Sequence, residues 1–356
     1  MPRYKLTIAY DGTDFCGWQK QFPHADAVPG ALTRFHDDDP PVFEFPGVLP
    51  AAIEGAPGEP TADAASAHAE NPDPRPRAEL RTVQSVVERA VRLTVRQPVV
   101  VMGASRTDSG VHARGQVCAF STFDVPGAQP ASGGSTARIE TRQPGADPEP
   151  PTNFERFGGG WPAERGAAAL VRALNARLPD DVLVRTADVV PPDFDPISGA
   201  ISKAYSYSIF SSRQRPLWER RQSLHVWHEL DAERMRRAAA LFVGEHDFAA
   251  FAAAGHARQS TVRTVFSCTV RERELPDLLD GEVGGRLITI DIAGSGFLWN
   301  MVRIISGTLV EAGKGAIGED RIREALRSGD RRLAGPTLPP QGLCLEWIRY
   351  ADVPRA

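Results

Sequence analysis

Apolar and polar residues alternate from the start of the chain. Residues 4–10, YKLTIAY, put Tyr4, Leu6, Ile8 and Tyr10 in one register, which predicts a strand closed by Asp11-Gly12. The period then changes. Val83, Val86, Val87, Ala90 and Val91 recur at i, i+3, i+4, i+7 and i+8, marking one face of a helix with Thr82 as its N-cap. Apolar runs at 98–102 and 116–120 read as two strands around a polar turn. A helix is predicted over 167–178 and a strand over 182–190. Residues 202–210 alternate again, with Tyr205, Tyr207 and Ile209 on one face. A helix follows at 231–243, with Leu241 and Phe242 on its apolar side. Strands at 261–273 and 286–293 form a hairpin with a long tip. After Gly294-Ser295-Gly296 a helical period begins, with Phe297, Met301, Ile304, Ile305, Thr308 and Leu309 on its buried side. A last strand closes at Tyr350. Strands that return as hairpins beside helices predict α+β layers rather than a doubly wound parallel sheet.

Two stretches break these periods. Residues 22–78 are rich in Pro, Ala, Asp and Glu, and residues 124–160 in Gly, Pro, Ser and Thr. Both read as surface excursions, the first pinned to the body by Phe35, Val42, Phe43 and Phe45. The length of 356 residues suits two α+β halves, 1–195 carrying both excursions and 196–356. The net charge is −4, but residues 22–78 hold ten acidic and three basic side chains, which leaves +3 for the remainder. A basic groove is compatible with that balance. Cys16, Cys118, Cys268 and Cys344 are far apart and make no CxxC pair. That argues against a disulfide frame or a zinc site and predicts a cytoplasmic protein. No apolar run approaches a membrane span, and MPRYKLTIAYDG lacks the apolar region of a signal peptide.

The candidate chemistry lies in the turn between the 98–102 and 116–120 runs. It reads Arg106-Thr107-Asp108-Ser109-Gly110. Arg106 sits two residues from Asp108, near enough to neutralise the carboxylate and keep it ionised. Ser109-Gly110 allows a tight backbone and close approach of another molecule. His112 and Arg114 add polar groups beside it. A lone ionised carboxylate suits nucleophilic attack at carbon or the holding of a cation. A plainer reading is an Asp that caps its own turn.

The string RTDSGVHA at 106–113, followed by Gly115-Gln116-Val117, resembles the signature of the TruA family of tRNA pseudouridine synthases. Other blocks resemble the family in the same order. They are IAYDGTDFCGWQ at 8–19, TVQ at 82–84, ALNARLPDDVLVRTADVVPPDFDP at 173–196, GEHDFAAF at 244–251, RTV at 263–265, GFLWNMVRIISG at 296–307 and LPPQGLCL at 338–345. The resemblance covers nearly the whole chain outside the two excursions. It departs at Ser109, where the family has Ala, at Ala204, where a basic residue precedes the tyrosine, and at Ile197, where an Arg is usual.

The resemblance implies two related halves whose antiparallel sheets join around a central cleft. It implies Asp108 as the catalytic nucleophile, paired with Arg303 and flanked by Arg106. It implies Tyr205 as an aromatic set against the target base and a candidate acid or base. His112 and Leu343 are further candidates for substrate contact, Leu343 as part of an apolar wall. His246 and Asp247 invite a catalytic reading, but helix capping and packing explain them better, and Trp18 reads as core. The implied reaction turns uridine into pseudouridine at positions 38–40 of the tRNA anticodon arm, with no metal and no cofactor, in a homodimer. Asp108 attacks the anomeric carbon, or deprotonates the sugar to give a glycal, or adds to uracil C6; the residues do not choose. A base inside a stem must first be extracted from its stack. The alternative is a tRNA-binding protein that keeps the fold without catalysis. A sugar hydrolase would need two carboxylates, and only Asp108 stands out.

Overall fold

The computed structural model describes residues 2–24, 35–42, 77–122, 159–162, 165–253, 260–276 and 283–351. Strand β1 (Arg3–Tyr10) buries Tyr4, Leu6, Ile8 and Tyr10, as its alternation predicts. Helix α1 (Val83–Val95) buries its valine face. Its N-terminus is closed by a reciprocal pair in which the Ser85 N–H donates to Thr82 Oγ1 and the Thr82 N–H donates to Ser85 Oγ, both at 3.3 Å. The predicted strand at 98–102 shrinks to β2 (Met102–Gly103). Side chains of α1 take the backbone groups a ladder would have used. Glu88 Oε2 accepts the Val101 N–H at 3.0 Å, and Arg92 Nε donates to Val99 O at 2.9 Å. Strand β3 (His112–Ser121) starts earlier than predicted, so the polar turn runs straight into it.

Helix α2 (Gly166–Asn175) and strand β4 (Val182–Val190) follow, then β5 (Ala200–Ser211) and β6 (Leu224–Val226). Helix α3 (Ala232–Ala240) ends before Leu241 and Phe242, and Asp231 caps it by accepting the Arg234 N–H at 3.0 Å. Residues Gly244–Asp247 form strand β7, not a helix end; Asp247 accepts the Ala249 N–H of the next short 3-10 turn at 3.0 Å. The long hairpin is β8 (Val262–Pro276) with β9 (Val283–Gly294). Helices α4 (Met301–Gly313) and α5 (Glu319–Ser328) precede the closing strand β10 (Leu343–Tyr350).

Among the described residues ten strands form one sheet, in the order β4-β1-β3-β10-β5-β9-β8-β7, with β2 on β3 and β6 on β5. Strands from the first half of the sequence occupy one end. They meet those of the second half where β10 runs parallel to β3, with Cys344 beside His112 and Leu345 beside Ala113. On its other edge β10 pairs antiparallel with β5, setting Leu345 opposite Tyr205 and Leu343 opposite Tyr207. The turn before β3 and the tyrosines of β5 are thus brought together at the seam. Among the described residues no helix is long and apolar enough to cross a membrane.

Of the first excursion, Phe35 packs under the guanidinium of Arg89 at 3.8 Å, whereas Val42 is exposed. Phe43 and Phe45, the hairpin tip at 277–282 and most of 124–160 lie outside the described residues.

Candidate active site

The turn that carries Asp108 is held from below by the first strand and its exit. Tyr10 and Thr107 share a hydroxyl hydrogen bond of 2.8 Å, and the Trp18 N–H donates to Thr107 O at 3.0 Å. Gly17 lies against this turn at φ +89°, where an added Cβ would stand 2.7 Å from Thr107 O. Trp18 is core, its indole packed over Gly103. On the far side of the turn, Ser109 Oγ and the Gly110 N–H both donate to Phe15 O, at 3.1 and 3.3 Å.

The Asp108 carboxylate is grasped by α4 and the segment before it. Arg303 Nη1 donates to Asp108 Oδ2 at 3.0 Å, and Trp299 Nε1 donates to Asp108 Oδ1 at 3.2 Å. Arg303 is itself fixed. Its Nη1 donates to Asn300 Oδ1 at 2.7 Å and its Nε to Leu338 O at 2.7 Å. Leu338 reaches that position because α4 packs tightly on the segment before it: a Cβ on Gly307 would stand 1.9 Å from Pro336 O. Asn300 adopts φ 60°, so the chain turns sharply there and α4 begins only at Met301. That turn leaves Phe297, Leu298 and Trp299 outside the helix, although the sequence reads as one apolar period.

Tyr205 stands on β5 beside this pair. Its hydroxyl shares a 3.0 Å hydrogen bond with Ser105 Oγ, and its ring meets Phe297 edge to face at 5.3 Å. Burial pushes the phenol up to about 12, its Ser105 bond opposes that, and the nearby Asp108 charge adds to it. The group is a neutral O–H near pH 7. Lys203, two residues earlier on β5, donates from Nζ to Ala104 O at 2.8 Å, so a cation reaches the turn although position 204 is Ala.

Two expectations from the sequence need correction. Arg106 is exposed, and among the described residues it makes no hydrogen bond or ion pair. The chain reverses at Asp108, whose carbonyl accepts the Val111 N–H at 3.2 Å, and its side chain meets α4 instead. His112 is buried, with both ring nitrogens engaged inside the protein. Its Nε2 lies 2.9 Å from Arg221 O and 3.2 Å from Gln341 O, and its Nδ1 accepts the Gly12 N–H at 3.1 Å. Asp11 Oδ1 lies 3.1 Å from the same Nδ1 and accepts the Thr13 N–H at 3.0 Å. Leu343 is core at the start of β10, opposite Tyr207, on the Tyr205 face of the sheet. The sequence reading passed over Trp299, Asn300, Ser105 and Lys203. A Trp-Asn pair interrupting an apolar run was the one available signal for the first two.

A carboxylate anchored through both oxygens near the sheet seam, with a protonated phenol on the adjoining strand, forms a candidate active site of the acid–base or nucleophilic class. Comparison with known proteins gives that class its family. Residues 238–351 match the family described as tRNA pseudouridine synthase. The chain is 32% identical to the tRNA pseudouridine synthase A of Geotalea daltonii, over 98% of this chain and 100% of that protein. It is equally 32% identical to that of Acetivibrio thermocellus, again over 98% and 100%. It is 38% identical to that of Geotalea uraniireducens, over 76% of this chain and 90% of that protein. The chain belongs to the tRNA pseudouridine synthase family, isomerases acting on tRNA uridines.

Proposed function

We propose that this protein isomerises uridine to pseudouridine at positions 38–40 in the anticodon arm of tRNA, with Asp108 as its nucleophile. The observation that carries the reading is the Asp108 carboxylate, one oxygen on the Arg303 guanidinium and the other on the Trp299 indole N–H, in a partly exposed turn. Charge-assisted bonds of this kind fix the direction of the carboxylate. The N1 glycosidic bond breaks, the uracil turns over, and C5 forms the new bond to the ribose carbon while releasing its proton. Attack on the anomeric carbon, removal of a sugar proton, or addition to C6 all start from this carboxylate. Tyr205 offers a flat ring against the base and a neutral hydroxyl that can pass a proton. Arg106, exposed on the same turn, is assigned to an RNA phosphate rather than to Asp108. The protein works as a homodimer in the cytoplasm, with tRNA spanning both subunits.

The test is tritium release from tRNA labelled at uracil C5, with wild type and Asp108→Ala side by side. Release by the wild type alone is the expected result. Release by both would remove Asp108 from the chemistry. Tight tRNA binding without release from either would favour a non-catalytic RNA-binding protein of the same fold.

A further inference from the structure

A second site lies on the other side of the catalytic turn. A cleft of about 520 Å³ is lined by Ser109 and Gly110 of the turn, by Thr13, by Arg220 and Arg221, and by Gln341. Its cationic wall is Arg220 and Arg221, the end of a segment, Arg213–Gln222, RQRPLWERRQ, that holds four arginines against one glutamate. All four guanidinium-bearing residues are exposed, in a chain whose net charge is −4. Among the described residues, carboxylates do not cancel them. The Arg221 contact to Asp14 spans 3.4 Å, with both side chains about half exposed, and such pairs are worth little in water. Arg220 donates to the backbone carbonyl of Leu217. Trp218, amid the arginines, is 77% exposed. An open aromatic among unneutralised arginines matches surfaces that track a polynucleotide backbone.

The wall is fixed to the catalytic turn by His112. Arg221 O and Gln341 O are both acceptors, so Nε2 carries the proton, and the Gly12 N–H then donates to Nδ1. The imidazole stands four residues from Asp108 and clamps both walls of the cleft to strand β3. Gly12 admits no side chain here, since a Cβ would stand 1.9 Å from Val111 O.

We propose that this cleft is a phosphate subsite for the RNA backbone beside the target nucleotide, with Arg220 and Arg221 as its ligands and His112 as the residue that positions Arg221. The proposal rests on the RNA-modifying reading above. Planar guanidinium forks suit phosphodiester oxygens. A phosphate held here would set the register of the strand while Asp108 acts on the nucleotide next to it.

The experiment compares wild type with the Arg220→Gln/Arg221→Gln double variant and with Arg327→Gln. Arg327 is an exposed arginine of α5 outside this cleft. Binding of an anticodon-arm hairpin is measured across salt concentrations, and tritium release gives kcat and KM. In the double variant KM rises about tenfold to a hundredfold, kcat stays within about threefold, and the slope of log Kd against log salt falls by about 1.5. Arg327→Gln leaves all three unchanged. His112→Phe, assayed as a folded protein, raises KM in the same direction with a smaller fall in slope. An unchanged slope in the double variant, or an equal fall with Arg327→Gln, overturns the subsite. Loss of stabilisation by inorganic phosphate in the double variant, with RNA binding intact, would assign the cleft to free phosphate and overturn the RNA assignment. A wild type that binds the hairpin without releasing tritium defeats the isomerase reading, while the salt slopes still decide the cleft.

Discussion

Asp108 has two oxygens and a different donor on each, and the donors are not equivalent. Arg303 is three-quarters enclosed or more, with its own remaining contacts fixed by Asn300 and Leu338. A lysine has no fork to meet three acceptors at once. Arg303→Lys should therefore lower kcat about tenfold to a hundredfold with little change in KM, and single-turnover tritium release would show it. Tyr205 supplies a test by pH. Its folded phenol holds its proton to about 12, against about 10 for an unfolded tyrosine. Its contribution to stability is complete below pH 10 and is lost as pH rises from 10 towards 12. At pH 11 wild type should have lost about 1.4 kcal/mol more than Tyr205→Phe, relative to pH 8, by urea denaturation. The other buried tyrosines affect both proteins alike. The Asp108–Arg303 contact was legible because both residues stand in distinctive strings. The Arg106 expectation failed because spacing along a chain does not fix direction once the chain reverses.

At the scale of elements, the strands and helices with a clean period emerged close to their predicted bounds, β4 among them. The errors fall where a local period met a competing partner. Side chains of α1 absorbed the backbone of 98–101, and Asn300 stopped a helix that the apolar pattern would have started earlier. The turn that carries Asp108 depends on one such local device. Gly17 sits at φ +89° with Thr107 O 2.7 Å and Asp108 C 3.2 Å from where a Cβ would be. Gly166 also has positive φ, +70°, yet nothing lies within 4 Å of its Cβ position. Both alanine variants bear a left-handed backbone cost of about 1–2 kcal/mol. Only Gly17→Ala also collides with the turn. Its stability should fall by about 3 kcal/mol, and kcat at 25 °C by at least tenfold, while Gly166→Ala keeps full kcat. Far-UV circular dichroism in urea and tritium release measure the two quantities.

At the scale of the whole molecule, the succession of strands and helices was readable, but the seam where β10 meets β3 was not. Residues 112 and 344 share no pattern that announces a parallel pairing. The first excursion was also misjudged in one respect. Its DDD run at 37–39 resembles a solvated acidic stretch, yet Asp39 is buried against Arg81. Arg81 Nε and Nη2 donate to the two Asp39 oxygens at 2.7 and 2.8 Å, and Nη1 donates to Asp181 at 3.0 Å. The guanidinium lies 4.0 Å over the ring of Phe15, whose carbonyl holds the Ser109-Gly110 end of the Asp108 turn. Residues 35–42 are thus bolted to the body beside the Asp108 turn. The sign of the energetics follows from burial. An arginine that is 1% exposed cannot lose a carboxylate to water without being left partly uncompensated. Asp39→Ala should cost about 3 kcal/mol. Asp39→Ala with Arg81→Met should cost less than the single change, because the stranded cation goes with its partner and Asp181 keeps some contact with solvent. Urea denaturation of the two variants measures this order. A single variant costing under about 1 kcal/mol would mean that the ion pair behaves as a surface contact and that the excursion is only loosely attached.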